Sequence, residues 1–258
     1  MITVIKQYIS TKICLFPIVI LLSLISQHTY AVALSTYRIK LDNSNPETEF
    51  IVYNKSLIAQ KCSIKLTDII YNENGDVISK EGTALPNISA KKHLKYSPRH
   101  FELKGHNSQS VRFKYRRKRT SNPKELRSYL SLVCDNIIDE KTSELQINIT
   151  PKLRINIPII VRTGDISVDV SFSKITYSNN ELSLEVTKVG KRSIYGNLEV
   201  VNKTTGEIIH SQKGFSLHAE VTKKSHKFML ENLDINNVDI QFIEDNKLSG
   251  DLRISKSI

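Results

Sequence analysis

Across residues 144–162 large aliphatic side chains fall at every second position: Leu145, Ile147, Ile149, then Leu153, Ile155, Ile157, Ile159 and Val161. Gln146, Asn148, Thr150, Lys152, Arg154 and Asn156 sit between them. Successive side chains of a strand point to opposite faces, so the pattern predicts one long strand with an aliphatic face and a polar face. Such a run would extend ~60 Å, whereas an ordinary strand has about five or six residues. Pro151 and Pro158 cannot donate to a ladder, which points to a sheet edge. A long apolar edge invites another chain to pair with it, so either other elements cover this strand or pairing is its purpose.

The rest of the chain has the same style on a shorter scale. Helical periodicity is nearly absent, and runs rich in Ile, Val, Leu, Tyr and Thr alternate with Asn, Gly, Pro and Ser clusters, the pattern of an all-β sandwich. In the first half the predicted strands lie near 37–41, 48–54, 62–71, 77–79, 100–103, 108–115, 129–135 and 145–161. In the second they lie near 166–172, 182–187, 198–202, 208–210, 217–221, 227–230, 238–243 and 252–254. Asn74-Gly75 predicts a two-residue hairpin turn, because both residue types accept positive φ. Turns are also expected at Lys104–Asn107, Asn179-Asn180, Thr205-Gly206 and Ser249-Gly250.

The first residues set the compartment. Lys6 and Lys12 precede the apolar run Ile13–Ile25, and Ala31-Val32-Ala33 follows, the order of a secretory signal with cleavage after Ala31 or Ala33. That apolar run is too short to span a bilayer, which takes about 20 residues, and Pro17 interrupts it. No second such run appears, so the mature chain is expected to be exported, without stable membrane insertion. The reading is residues 1–33 as signal peptide, 34–162 as a first domain and 163–258 as a second. A single large β domain is the alternative. Residues 34–162 carry 23 Lys/Arg against 13 Asp/Glu, while 163–258 carry 12 against 13. The positive field therefore belongs to the first half alone. Cys62 and Cys134 remain after the signal is removed, and two cysteines in an oxidising compartment predict a disulfide rather than a zinc site.

Candidate chemistry is sparse. The histidines at 93, 100, 106, 210, 218 and 226 have no metal-ligand spacing, and no phosphate loop or nucleophile elbow occurs. The expectation is no enzyme, no metal and no cofactor. The basic run Lys114–Arg119 is a solvated loop or a landing site for an acidic partner; stacking aromatics do not interleave with it, so nucleic acid is not expected. Four Asn-X-Ser/Thr triplets, at Asn54, Asn87, Asn148 and Asn202, are chance matches in an Asn-rich chain.

Several motifs in order carry a resemblance: Tyr37-Arg-Ile-Lys-Leu-Asp42, Ser97-Pro-Arg-His-Phe-Glu-Leu103, Ser108-Gln-Ser-Val-Arg-Phe113, Glu125-Leu-Arg-Ser-Tyr-Leu130 and Ile157-Pro-Ile-Ile-Val-Arg-Thr-Gly164. Together, behind a signal peptide, they resemble the periplasmic chaperones of the chaperone–usher pilus pathway, nearer the archaic branch. The resemblance covers about residues 34–164. It implies two immunoglobulin-like β-sandwich domains in an L or boomerang arrangement. It also implies a mechanism: the last strand of the first domain is lent to an incomplete fimbrial subunit, which is then delivered to an outer-membrane usher. The groove-filling side chains would be Leu145, Ile147, Ile149, Leu153, Ile155 and Ile157. The subunit's C-terminal carboxylate would be anchored by basic residues, for which Arg38, Arg127 and Arg154 are the candidates. Cys62 and Cys134 would form a cross-strand disulfide within this domain. The alternative function is a secreted immunoglobulin-like adhesin or pilus-associated binding protein.

Overall fold

The computed structural model describes residues 32–78, 87–116, 123–137 and 152–258. Leu145, Ile147, Ile149, Asn148, Pro151, Arg117–Arg119 and residues 1–31 lie outside these. The chain is all-β, folded as two immunoglobulin-like sandwiches.

In the first sandwich one sheet has the order β1 (Val32–Leu34), β3 (Glu47–Asn54), β7 (Ser108–Tyr115), β5 (Leu94–Ser97). The other has the order β2 (Ile39–Asp42), β9 (Arg154–Thr163), β8 (Lys124–Asn136), β4 (Gln60–Thr67), β6 (His100–Leu103). Alternate residues point inward and close one core: Phe50 and Val52 from β3, Val111 and Phe113 from β7, Leu126, Leu130 and Leu132 from β8, and Ile157, Ile159 and Val161 from β9. Each such side chain contributes roughly 1.5–3 kcal/mol on burial. Cys62 and Cys134 stand directly opposite each other in the β4–β8 ladder, and their sulfurs are bonded.

In the second sandwich β10 (Asp169–Ser178), β11 (Glu181–Val189) and β14 (Lys223–Met229) form one sheet. The other has the order β13 (Ile208–Leu217), β12 (Ile194–Asn202), β15 (Val238–Glu244), β16 (Arg253–Ser257). Its core, which includes Phe172, Val186, Phe228, Ile240 and Phe242, shares no residue with the first.

Three expectations change. First, Asn74-Gly75 is not a two-residue turn: the Gly75 amide donates to the Asn72 carbonyl and Gly75 alone takes positive φ, so Glu73 and Asn74 are the central residues. This is the shape of a three-residue loop closed by a glycine bulge, flanked by a single bridge between Tyr71 and Val77 rather than a strand pair. Second, the strand expected near 217–221 stops at Leu217, and His218–Val221 is the connection to β14. Third, β8 begins at Lys124, five residues before the predicted start. Its early residues are buried on both faces, one against the core and one against the second sandwich, so polar residues there belong to a buried strand.

An open strand edge and a polar cluster between the sandwiches

The β9 strand has different neighbours along its length. On one side it pairs with β8 throughout, from Arg154 opposite Val133 to Thr163 opposite Lys124. On the other, β2 runs parallel to it only from Ile159 to Arg162, in register with Ile39 to Asp42. Residues 154–158 therefore have a ladder on one side and, among the described residues, none on the other. Pro158 is the last residue before β2 begins, where a missing amide donor costs no ladder bond. Among the described residues the edge expected from Pro158 holds for 154–158, whereas 159–162 are internal to the sheet; Pro151 lies outside the described residues.

Side-chain burial grades along the same strand. Leu153 is 70% exposed, Ile155 is half-buried against the core, and Ile157 is 1% exposed within it. Ile157 is committed to its own sandwich, which corrects its expected place in a partner's groove. Leu153 and Ile155 remain on the accessible part of that face.

The opposite face of β8 and β9 builds the contact with the second sandwich. Because strand side chains alternate, Glu125, Arg127 and Tyr129 share the face away from the core, with Ile160 and Arg162 beside them on β9. The Glu125 carboxylate accepts from Arg162 at 2.9 Å and from the Ser193 amide at 3.1 Å. Arg162 also donates to the carbonyls of Ser193 and Ser249. Arg127 makes a two-pronged ion pair with Glu220, one arm at 2.8 Å, and donates to the Ile69 carbonyl. Burial opposes the charge on Arg127, but its bonds to Glu220 outweigh this and its pKa is raised. The turn at Asn72–Asp76 docks on the second sandwich, where the Thr222 and Lys223 amides donate to the Glu73 carbonyl at 2.9 and 3.2 Å.

Arg38, just before β2, differs from the other buried arginines. It is 2% exposed, its guanidinium donates to the Ser193 and Ser216 hydroxyls, and it lies over the Tyr195 ring at 4.9 Å. Its Nε is buried without an acceptor, and no carboxylate pairs with it among the described residues. Burial pushes its pKa down to about 10, with Glu125 the chief opposing influence. It stays charged at neutral pH, a buried cation held by neutral groups. Arg154, by contrast, is exposed at the open edge. The three candidate arginines are therefore not gathered into one site. Among the described residues Arg38 has no ion-pair partner, Arg127 is paired with Glu220, and Arg154 is exposed. The sequence reading missed Glu125, Arg162, Ser193, His218 and Glu220. The first two lay inside quoted motifs and share one side of adjacent strands, a signal that needed the strand register to be seen.

No family model and no curated protein matches the chain. Solved structures do. The CupB2 chaperone of Pseudomonas aeruginosa aligns at 9% identity over 88% of this chain and 100% of that one, with a TM-score of 0.49. The CsuC–CsuE chaperone–tip adhesion subunit complex of Acinetobacter baumannii gives 10% over 87% and 97%, at 0.48. The Salmonella enterica SafA pilin–SafB chaperone complex gives 13% over 90% and 99%, at 0.47. The chain is similar to fimbrial chaperones. At these TM-scores the likeness carries no argument about what the chain binds; the strand edge and the arginines have to carry it.

Proposed function

We propose that this chain is a non-enzymatic periplasmic chaperone, exported by the leader at 1–33, that caps incomplete immunoglobulin-like fimbrial subunits and delivers them to an outer-membrane usher. Residues 34–162 would hold the subunit and residues 163–258 form the second domain. The observation that carries the reading is the lane beside β9. Among the described residues it has no partner along 154–158, and it ends where β2 starts, beside Arg38, whose guanidinium is held by hydroxyls. A partner strand added parallel to β9 in that lane would finish with its terminal carboxylate at Arg38. Strand addition supplies main-chain hydrogen bonds, Leu153 and Ile155 supply apolar contact, and the arginine supplies a charge-assisted end stop. The upstream aliphatic residues Leu145, Ile147 and Ile149 would extend the same contact.

The test is co-purification of the chaperone with a fimbrial subunit, together with titration by a peptide of the subunit's last strand ending in a free acid or an amide. Leu153→Glu should leave the chain folded, because the side chain is in solvent, and should abolish the complex. The amide should bind at least about tenfold more weakly than the acid, roughly 1.4 kcal/mol, and Arg38→Met should erase that difference. Equal binding of acid and amide would remove Arg38 from the site, and an intact complex with Leu153→Glu would remove β9.

A further inference from the structure

The connection between β13 and β14 places His218 against the first sandwich. Its ring packs on Tyr71 with centroids 4.7 Å apart and meets the edge of Tyr129 at 6.2 Å. The Tyr129 hydroxyl lies 3.2 Å from His218 Nε2 and 3.2 Å from the Tyr71 hydroxyl. The other ring nitrogen, Nδ1, is buried with no hydrogen-bond partner among the described residues. A neutral imidazole can keep its single N–H on Nε2, toward the Tyr129 hydroxyl, and leave only the Nδ1 lone pair unanswered. An imidazolium carries two N–H donors, and one of them would be buried and unanswered.

The charges around it oppose protonation as well. Four cations act on His218 electrostatically: Arg127 on β8, Arg38 ahead of β2, Lys224 on β14 and Lys188 on β11. The acidic groups of the same contact are already engaged, Glu220 by Arg127 and Glu125 by Arg162 and the Ser193 amide. Burial raises the pKa of the Tyr129 phenol well above its usual value, so it offers no negative charge. Burial, then Arg127, then the other three cations hold the His218 pKa well below the ordinary histidine value.

We propose that His218 is an acid-sensitive latch between the two sandwiches, sealing their contact when neutral and releasing it when protonated. In the separated state the ring is in water and titrates near its ordinary value of about 6.5. In the closed state it resists the proton. The latch therefore contributes fully above about pH 6.5 and is lost progressively as pH falls from there toward the closed-state value. Opening would also free Arg38 from the Ser193 and Ser216 hydroxyls. The latch itself stands whether or not the chain holds a subunit.

The amides of Thr222 and Lys223 read the latch directly, because both donate across the contact to Glu73. Their hydrogen-exchange protection factors, corrected for intrinsic rates, are measured at about pH 7.5 and about pH 5 on the whole mature chain, alongside the core amides of Phe50 and Ile240. The expected result in the parent is a loss of about tenfold or more at Thr222 and Lys223 at the lower pH, one pKa unit of linkage, with core protection unchanged. His218→Phe, which keeps a ring on Tyr71, and His218→Gln, which keeps a polar group, should both abolish the pH dependence. Protection at Thr222 and Lys223 that persists at the lower pH in the parent overturns the proposal. So does an equal loss in either folded variant.

Discussion

Arg38, Arg127 and Arg162 all enter the contact between the sandwiches, and each is neutralised to a different degree. Arg162 and Arg127 have carboxylates within ion-pair distance, whereas Arg38 has two hydroxyls and a ring. Removing one partner of a buried ion pair strands the other, while replacing an unpaired buried cation by an apolar chain removes a desolvation cost. Arg127→Met is therefore expected to destabilise by about 2–4 kcal/mol, below the full burial figure because Glu220 keeps some access to water. Arg38→Met should leave stability within about 1 kcal/mol of the parent or raise it. Urea unfolding of the two variants separates them. If Arg38→Met costs as much as Arg127→Met, its guanidinium is structural rather than held in reserve for an anion.

At the scale of elements, the Cys62–Cys134 bond joins opposed positions on two central strands and closes a loop of 72 positions. Replacing both cysteines by alanine should cost about 2–4 kcal/mol through the wider unfolded ensemble, seen as a lower urea midpoint and matched by reduction of the parent. The sandwich strands were legible in sequence wherever one face is apolar and the other polar, as along β3, β7 and β11. The pattern failed at Lys124–Arg127, where Glu125 and Arg127 are buried by another domain rather than exposed to water, and burial by a partner surface leaves no period in the sequence. It failed again at 217–221, where Val221 is buried by tertiary contact in a connection rather than a strand. The described part of the long predicted strand, β9, was legible as a strand. That only 154–158 is an edge could not be read, because it depends on where β2 starts alongside β9. Arg38 was legible as basic, whereas its having hydroxyls rather than a carboxylate as partners among the described residues is a property of the assembled contact.

At the scale of the whole molecule, two apolar cores that share no residue are joined through a polar contact. Glu125 is its hub in the first sandwich and Ser193 its hub in the second. The Ser193 amide reaches Glu125, its carbonyl takes Arg162, and its hydroxyl takes Arg38. Coupling between the cores should then depend on this group together with Tyr71, which packs against the second core from the first sandwich. Glu125→Ala strands Arg162 and leaves the Ser193 amide without its acceptor, at an expected cost of about 3–5 kcal/mol. Adding Arg162→Met removes the stranded cation, so the double variant should cost less than the two single changes together, by roughly 1–3 kcal/mol. Loss of the hub should also weaken the coupling and broaden the calorimetric transition, while Tyr71 against the second core and the Arg127–Glu220 pair continue to join the sandwiches. A strictly additive double variant, or an unchanged transition width in Glu125→Ala, would mean that the Glu125–Ser193 contact contributes nothing to the coupling of the sandwiches.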